Sequence, residues 1–144
     1  MAHTKNTKKI VLLIFAVTVG AVLFITSQQK PAQVAAYETK ENEGGEVTVS
    51  VTPTTLKSGF PASFDIAFET HSVDLAFDVE QIASLQDETG TVYAPHWDGS
   101  PPGGHHRKGT LRFTPDLSSP KTITILLKDI ADIPTRTFTW EAAP

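Results

Sequence analysis

The chain contains no cysteine. That excludes a disulfide framework, a thiolate zinc site, a blue-copper site and a thiol nucleophile. Its one methionine is Met1, which weakens the case for a thioether copper(I) site. No HExxH, GxSxG, P-loop or Rossmann glycine pattern is present in the globular part, which removes the sequence support for the commonest metalloprotease, hydrolase and nucleotide-binding chemistries. Acid is missing from the first thirty residues, where Lys5, Lys8, Lys9 and Lys30 stand alone. Past residue 30 no stretch shows a sustained helical period of 3.6.

What is present divides the chain sharply. Residues 31–144 hold eight lysines and arginines against all sixteen acids, a net charge of −8. A domain so acidic repels phosphate backbones, and nucleic acid is not an expected partner. Ile10 to Thr26 reads IVLLIFAVTVGAVLFIT, seventeen residues without a charge. As a helix it would span roughly 26 Å, enough for a thin hydrocarbon core. The lysines in front of it orient the N-terminus toward the cytoplasm by the positive-inside rule. The alternative is a signal peptide cut after Ala36, where Val34-Ala35-Ala36 offers the small residues a signal peptidase takes. The expected organisation is a cytoplasmic tail over 1–9, a transmembrane signal anchor over 10–27, a flexible tether over 28–45, and an extracytoplasmic domain over 46–144. The tether reading rests on few large apolar groups, Pro31 and the Gly44-Gly45 pair.

From Glu46 the texture turns to period two. Val47, Val49 and Val51 alternate with Thr48, Ser50 and Thr52. Phe64, Ile66 and Phe68 alternate with polar or small residues, and so do Val73, Leu75 and Phe77. Ile82–Gln86 and Thr91–Tyr93 flank an Asp87–Gly90 turn, which predicts a hairpin. Further strands are expected at Thr110–Thr114, Lys121–Leu127 and Thr135–Trp140. About eight short strands in about 95 residues, with turn signals between them, predict an all-β fold: an immunoglobulin-like antiparallel β-sandwich. Its expected core includes the residues just named together with Leu85, Leu111, Phe113, Ile123, Ile125, Leu127, Phe138 and Trp140.

The stretch Tyr93 to Arg107, YAPHWDGSPPGGHHR, gathers three of the five histidines and a density of proline and glycine. These residues disfavour regular structure, so the stretch is expected to be a shaped loop, and loops on rigid scaffolds carry binding residues. Trp97, Tyr93 and Arg107 are the candidates for contact with a partner, aromatics and arginine being common anchors. His71, His96, His105, His106 and Asp98 are candidate ligands for copper(II) or zinc, with Asp74 nearby in sequence. A purely structural account competes, with Arg107 pinning the loop and Trp97 covering one end of the core. Ser72, Asp74 and the histidines form no recognisable catalytic spacing, and no enzyme activity is expected. The runs THSVDLAFD, DETGTVYAP, WDGSPPGGHHRKGTLRF and RTFTW, over residues 46–140, resemble a group of small prokaryotic exported or membrane-anchored proteins. The resemblance implies a β-sandwich outside the cytoplasm and carries no activity with it. The function expected is a membrane-anchored, non-catalytic binding or accessory module with an envelope protein as partner, or else a metal-binding protein.

Overall fold

The computed structural model describes residues 37–143. The expected tail, the membrane segment over 10–27 and the first half of the expected tether, 28–36, lie outside the described residues. Among those described, no helix is long and apolar enough to cross a membrane. The domain is one antiparallel sheet of eight strands: β1 (Lys40–Gly44), β2 (Val47–Thr55), β3 (Ala62–Thr70), β4 (Ala83–Asp87), β5 (Val92–Gly99), β6 (His106–Thr114), β7 (Thr122–Ile130) and β8 (Ile133–Glu141). Their order is β1-β2-β3-β6-β5-β4-β7-β8. A single helical turn, α1 (Val79–Ile82), precedes β4.

Period-two alternation sets which residues point inward. Val47, Val49 and Val51, then Phe64, Ile66 and Phe68, then Leu111 and Phe113, and Ile123, Ile125 and Leu127 are all buried, with Leu85, Phe138 and Trp140. Leu56, Leu117, Ile130, Val79 and Tyr93 complete the core. Strand β5 belongs to both halves of the sheet. Val92 and Tyr93 pair with β4, and Ala94 to Gly99 pair with β6. The sheet curls until β1 and β8 approach each other, nearly closing a barrel. Side chains bridge that seam. Arg136 of β8 donates to Asn42 O, Gly44 O and Val47 O, and Trp140 Nε1 donates to Glu38 O.

Three expectations are corrected. The tether does not reach residue 45, because Lys40–Gly44 pair with Val47–Val51 as β1. Gly45 and Glu46 both have positive φ, which makes the two-residue turn that matches strand twist. Gly45 is required there twice over, since a Cβ would collide with Ala131 O of the β7–β8 turn.

Val73–Phe77 is not a strand. Thr70 Oγ1 accepts from the amides of Ser72 and Val73, and Asp78 caps α1 by accepting from Glu80 N. These local side-chain bonds displace the ladder that the alternation suggested. Only Leu75 of that trio is fully buried; Val73 and Phe77 are half-buried.

The stretch Tyr93–Arg107 is not one loop either. Tyr93 to Gly99 lies in β5 despite Pro95. Trp97 N–H points away from β6, to Glu80 Oε1. By period two the Pro95 nitrogen faces the same unpaired edge, where a missing donor costs nothing.

Candidate functional site

The strands run between two ends of the domain. The near end is where the chain comes in at Tyr37 and goes out at Ala143. Both are tied to Leu56 O, one through the Tyr37 hydroxyl and one through the Ala143 amide. The far end holds the β3–α1 loop (71–78), the β5–β6 loop (100–105) and the two tight turns. The histidine-bearing segments therefore sit opposite the point where the chain enters.

At the far end the two long loops are zipped together by backbone bonds. Thr70 N donates to His105 O at 3.0 Å, Leu75 N to Gly104 O at 3.0 Å, and Gly103 N to Leu75 O at 2.9 Å. Asp74 Oδ1 accepts from Gly104 N at 2.8 Å. Beneath this zipper lies Arg107, 2% exposed. Its guanidinium donates to Leu75 O at 2.9 Å, Phe77 O at 2.7 Å and Ser100 O at 3.2 Å. It also stacks over the Phe77 ring at 5.1 Å. Burial pushes the Arg107 pKa down from its usual value, and the nearby Asp78 opposes that shift. Arginine keeps its proton in proteins, so this is a buried cation held by carbonyl dipoles.

Trp97 is half-buried. Its indole Nε1 donates to Ser100 O at 3.1 Å, and its ring meets Phe68 edge-on. The ring lies against the Gly99–Gly109 cross-strand pair, where a Cβ on either glycine would come within 2.8 Å of it. The absence of both side chains is what gives the indole its seat.

The five candidate metal ligands fall into two groups. His71 and His106 are exposed at the far end, their rings edge-on with centroids 6.3 Å apart. His105 is exposed beside them, its carbonyl used by Thr70. His96 and Asp98 lie on the outer face of β5, with His96 Nδ1 3.2 Å from Glu80 Oε1. The strand partner of His96 is Arg112. Arg112 lies six steps along β6 from His106, about 20 Å at strand rise. The two groups cannot share one ion. Among the described residues, no three His, Asp or Glu side chains converge closely enough to hold a metal. Of the three candidate partner contacts, Tyr93 and Arg107 are buried at 2% exposure each, which leaves Trp97 as the one reaching the surface.

Sequence reasoning passed over Asp87 and Arg136, although the signal was there. Asp87 is in phase with Ala83 and Leu85, and Arg136 with Phe138 and Trp140, so both had to point inward. Asp87 Oδ1 accepts from the Thr89 hydroxyl and the amides of Thr89 and Thr91, and Oδ2 from the Tyr93 hydroxyl. Those bonds, the Thr89 hydroxyl's foremost, bring its pKa down to about 2. Burial, and after it the bond to Asp87, raise the Tyr93 pKa. No known family, curated protein or solved structure matches the chain.

Proposed function

We propose that the chain is a membrane-anchored, extracytoplasmic, non-catalytic binding module whose far end meets an envelope partner. The observation that carries this is the far-end platform. Two loops are locked to each other by backbone bonds over a buried arginine, at the end opposite Tyr37. A recognition surface needs loops whose order is settled before binding, because ordering them on contact subtracts from affinity. A domain tethered through Tyr37 leaves that surface unobstructed. The anchor itself rests on the uncharged run Ile10–Thr26 and the lysines before it.

The fold supports the immunoglobulin-like reading of the sandwich. Within the single eight-stranded sheet, β1-β2-β3-β6-β5 and β4-β7-β8 form two halves that β5 joins by pairing with both β6 and β4, an arrangement compatible with a sandwich. The non-catalytic reading rests on the sequence, where Ser72, Asp74 and the histidines fall in no recognisable catalytic spacing.

The test is photo-crosslinking from the full chain in its own envelope. A crosslinker at Pro102 or His105 should capture one discrete species, and one at Thr137 on the β8 outer face should not. Equal labelling from all three positions would remove the far-end assignment.

A second reading, a copper(II) or zinc protein, keeps one favourable observation: the His71–His106 pair. Two imidazoles edge-on at 6.3 Å form a clip that leaves other positions to water. Thermal unfolding with zinc, copper(II), nickel or EDTA tests it. Ligand at one hundred times Kd adds about 2.7 kcal/mol. A metal-specific rise in Tm that His71→Ala and His106→Ala both abolish, and His96→Ala does not, supports it. No rise removes it.

A further inference from the structure

Among the described residues, two large hydrophobic side chains are exposed, Phe60 at 51% and Val92 at 65%. One exposed apolar residue is ordinary on a protein surface. These two share the near end. Phe60 lies in the β2–β3 loop, whose Gly59 N and Phe60 O bond Leu117, and Val92 opens β5. Lys57 Nζ stands 5.7 Å over the Phe60 ring, an aromatic body beside a cation, which suits a lipid headgroup interface.

Charge is distributed the other way. The far end carries Glu43, Glu46, Glu69, Asp74, Asp78, Glu80, Asp129 and Asp132 against the exposed Lys108 and Lys128 and the buried Arg107 and Arg136. At the near end Lys40, Lys57, Arg112 and Lys121 stand against Glu38, Asp87, Glu88, Asp116 and Glu141, close to balance. An anionic leaflet repels the far end more strongly than the near end.

The fold also shortens the leash. With 37–45 taken into the domain, nine residues, 28–36, separate it from the apolar run. Fully extended they reach at most about 32 Å, comparable to the roughly 30 Å length of a nine-residue strand such as β2.

We infer that the near end, through Phe60, Val92, Lys57 and Lys121, rests against the lipid headgroup surface and holds the acidic far end away from it. This deepens the anchored-module reading and rests on it. Nine residues keep the near end within reach of the bilayer, two apolar side chains enter its interface, and repulsion of the acidic end fixes the orientation.

The native chain has no cysteine, so single-cysteine variants label cleanly. The full chain carrying Phe60→Cys, Val92→Cys or Asp132→Cys is labelled with an environment-sensitive fluorophore. Each is reconstituted into phosphatidylcholine vesicles containing phosphatidylglycerol, with and without brominated acyl chains. The expected result is co-flotation with the vesicles, loss of emission to bromolipid at positions 60 and 92, and none at 132. Co-flotation with positions 60 and 92 unquenched overturns the orientation and leaves the anchor standing. Failure to float, or a chain beginning at Tyr37 after expression in cells, overturns the anchor and the orientation together.

Discussion

Asp87, Arg107 and Arg136 do at single positions what the sheet cannot do with its own ladder. Asp87 closes the β4–β5 turn with four hydrogen bonds. Its carboxyl titrates at about 2 in the folded chain and near 3.9 in an unfolded one. The unfolded state therefore takes up the proton first as pH falls. The stabilisation is complete above about pH 4 and is lost between about pH 4 and pH 2, on the order of 1–2 kcal/mol after allowance for solvent screening. Urea unfolding over that range should show the loss in the native protein and a flatter profile in Asp87→Asn. Arg107 holds three carbonyls that no strand reaches. Arg107→Ala leaves Phe77 O without its donor, while Leu75 O keeps Gly103 N and Ser100 O keeps the Trp97 indole, and should cost on the order of 1–3 kcal/mol. Hydrogen exchange should quicken at Thr70, Leu75 and Gly103. Arg107→Lys keeps the charge but not the fork, and should fall between the two.

At the scale of elements, the seam between β1 and β8 is the unusual joint. β1 pairs with β2 on one side. On the other it offers the Asn42 and Gly44 carbonyls to Arg136, Lys40 Nζ reaches Thr139 O, and just before the strand Glu38 O accepts from Trp140 Nε1. The alternation of β8 forces Arg136 inward with Phe138 and Trp140, and β1 is what receives its protons. A chain beginning at Glu46, the boundary that composition suggests, strips most acceptors from a buried guanidinium. It should be less stable than a chain beginning at Tyr37 by about 3 kcal/mol or more, read as the shift in denaturant midpoint. Equal stability of the two chains would show that β1 is dispensable. Strand β5 shows the complementary lesson. Proline is admitted because that segment has one strand neighbour, and α1 covers its open edge through Glu80.

For the molecule as a whole, the domain carries twice as many acids as lysines and arginines. Among the described residues, no lysine or arginine comes within ion-pair distance of an acid, and the one side chain that does is the His96 imidazole, beside Glu80. Salt thus has repulsion to screen and little attraction to weaken. Raising NaCl from low to physiological concentration should raise Tm, and KCl should do the same. A fall in Tm would mean that unseen pairing outweighs the net charge. The same imbalance, weighted to the far end, is what the proposed orientation at an anionic surface draws on.

The sequence by itself determined the all-β class and the alternating, strand-borne part of the core, because the hydrophobic pattern and the side-chain period of a strand are local facts; Leu56, Val79, Tyr93, Leu117 and Ile130 joined that core through tertiary packing. It also determined the eight-to-sixteen balance of charge and the absence of thiol chemistry. The tertiary structure decided what local patterns leave open. Val73–Phe77 alternates like a strand, yet hydroxyl and carboxylate caps on neighbouring amides turn it into a loop. Lys40–Gly44 has a linker's composition, yet it forms a strand because β2 and an inward arginine both bond it. His96 and His106 are ten residues apart in sequence and about 20 Å apart along the sheet. His71 and His106 are far apart in sequence, and their rings meet. Which residues share a place depends on which strands pair, and pairing is a long-range bargain among backbone groups that no window of sequence contains.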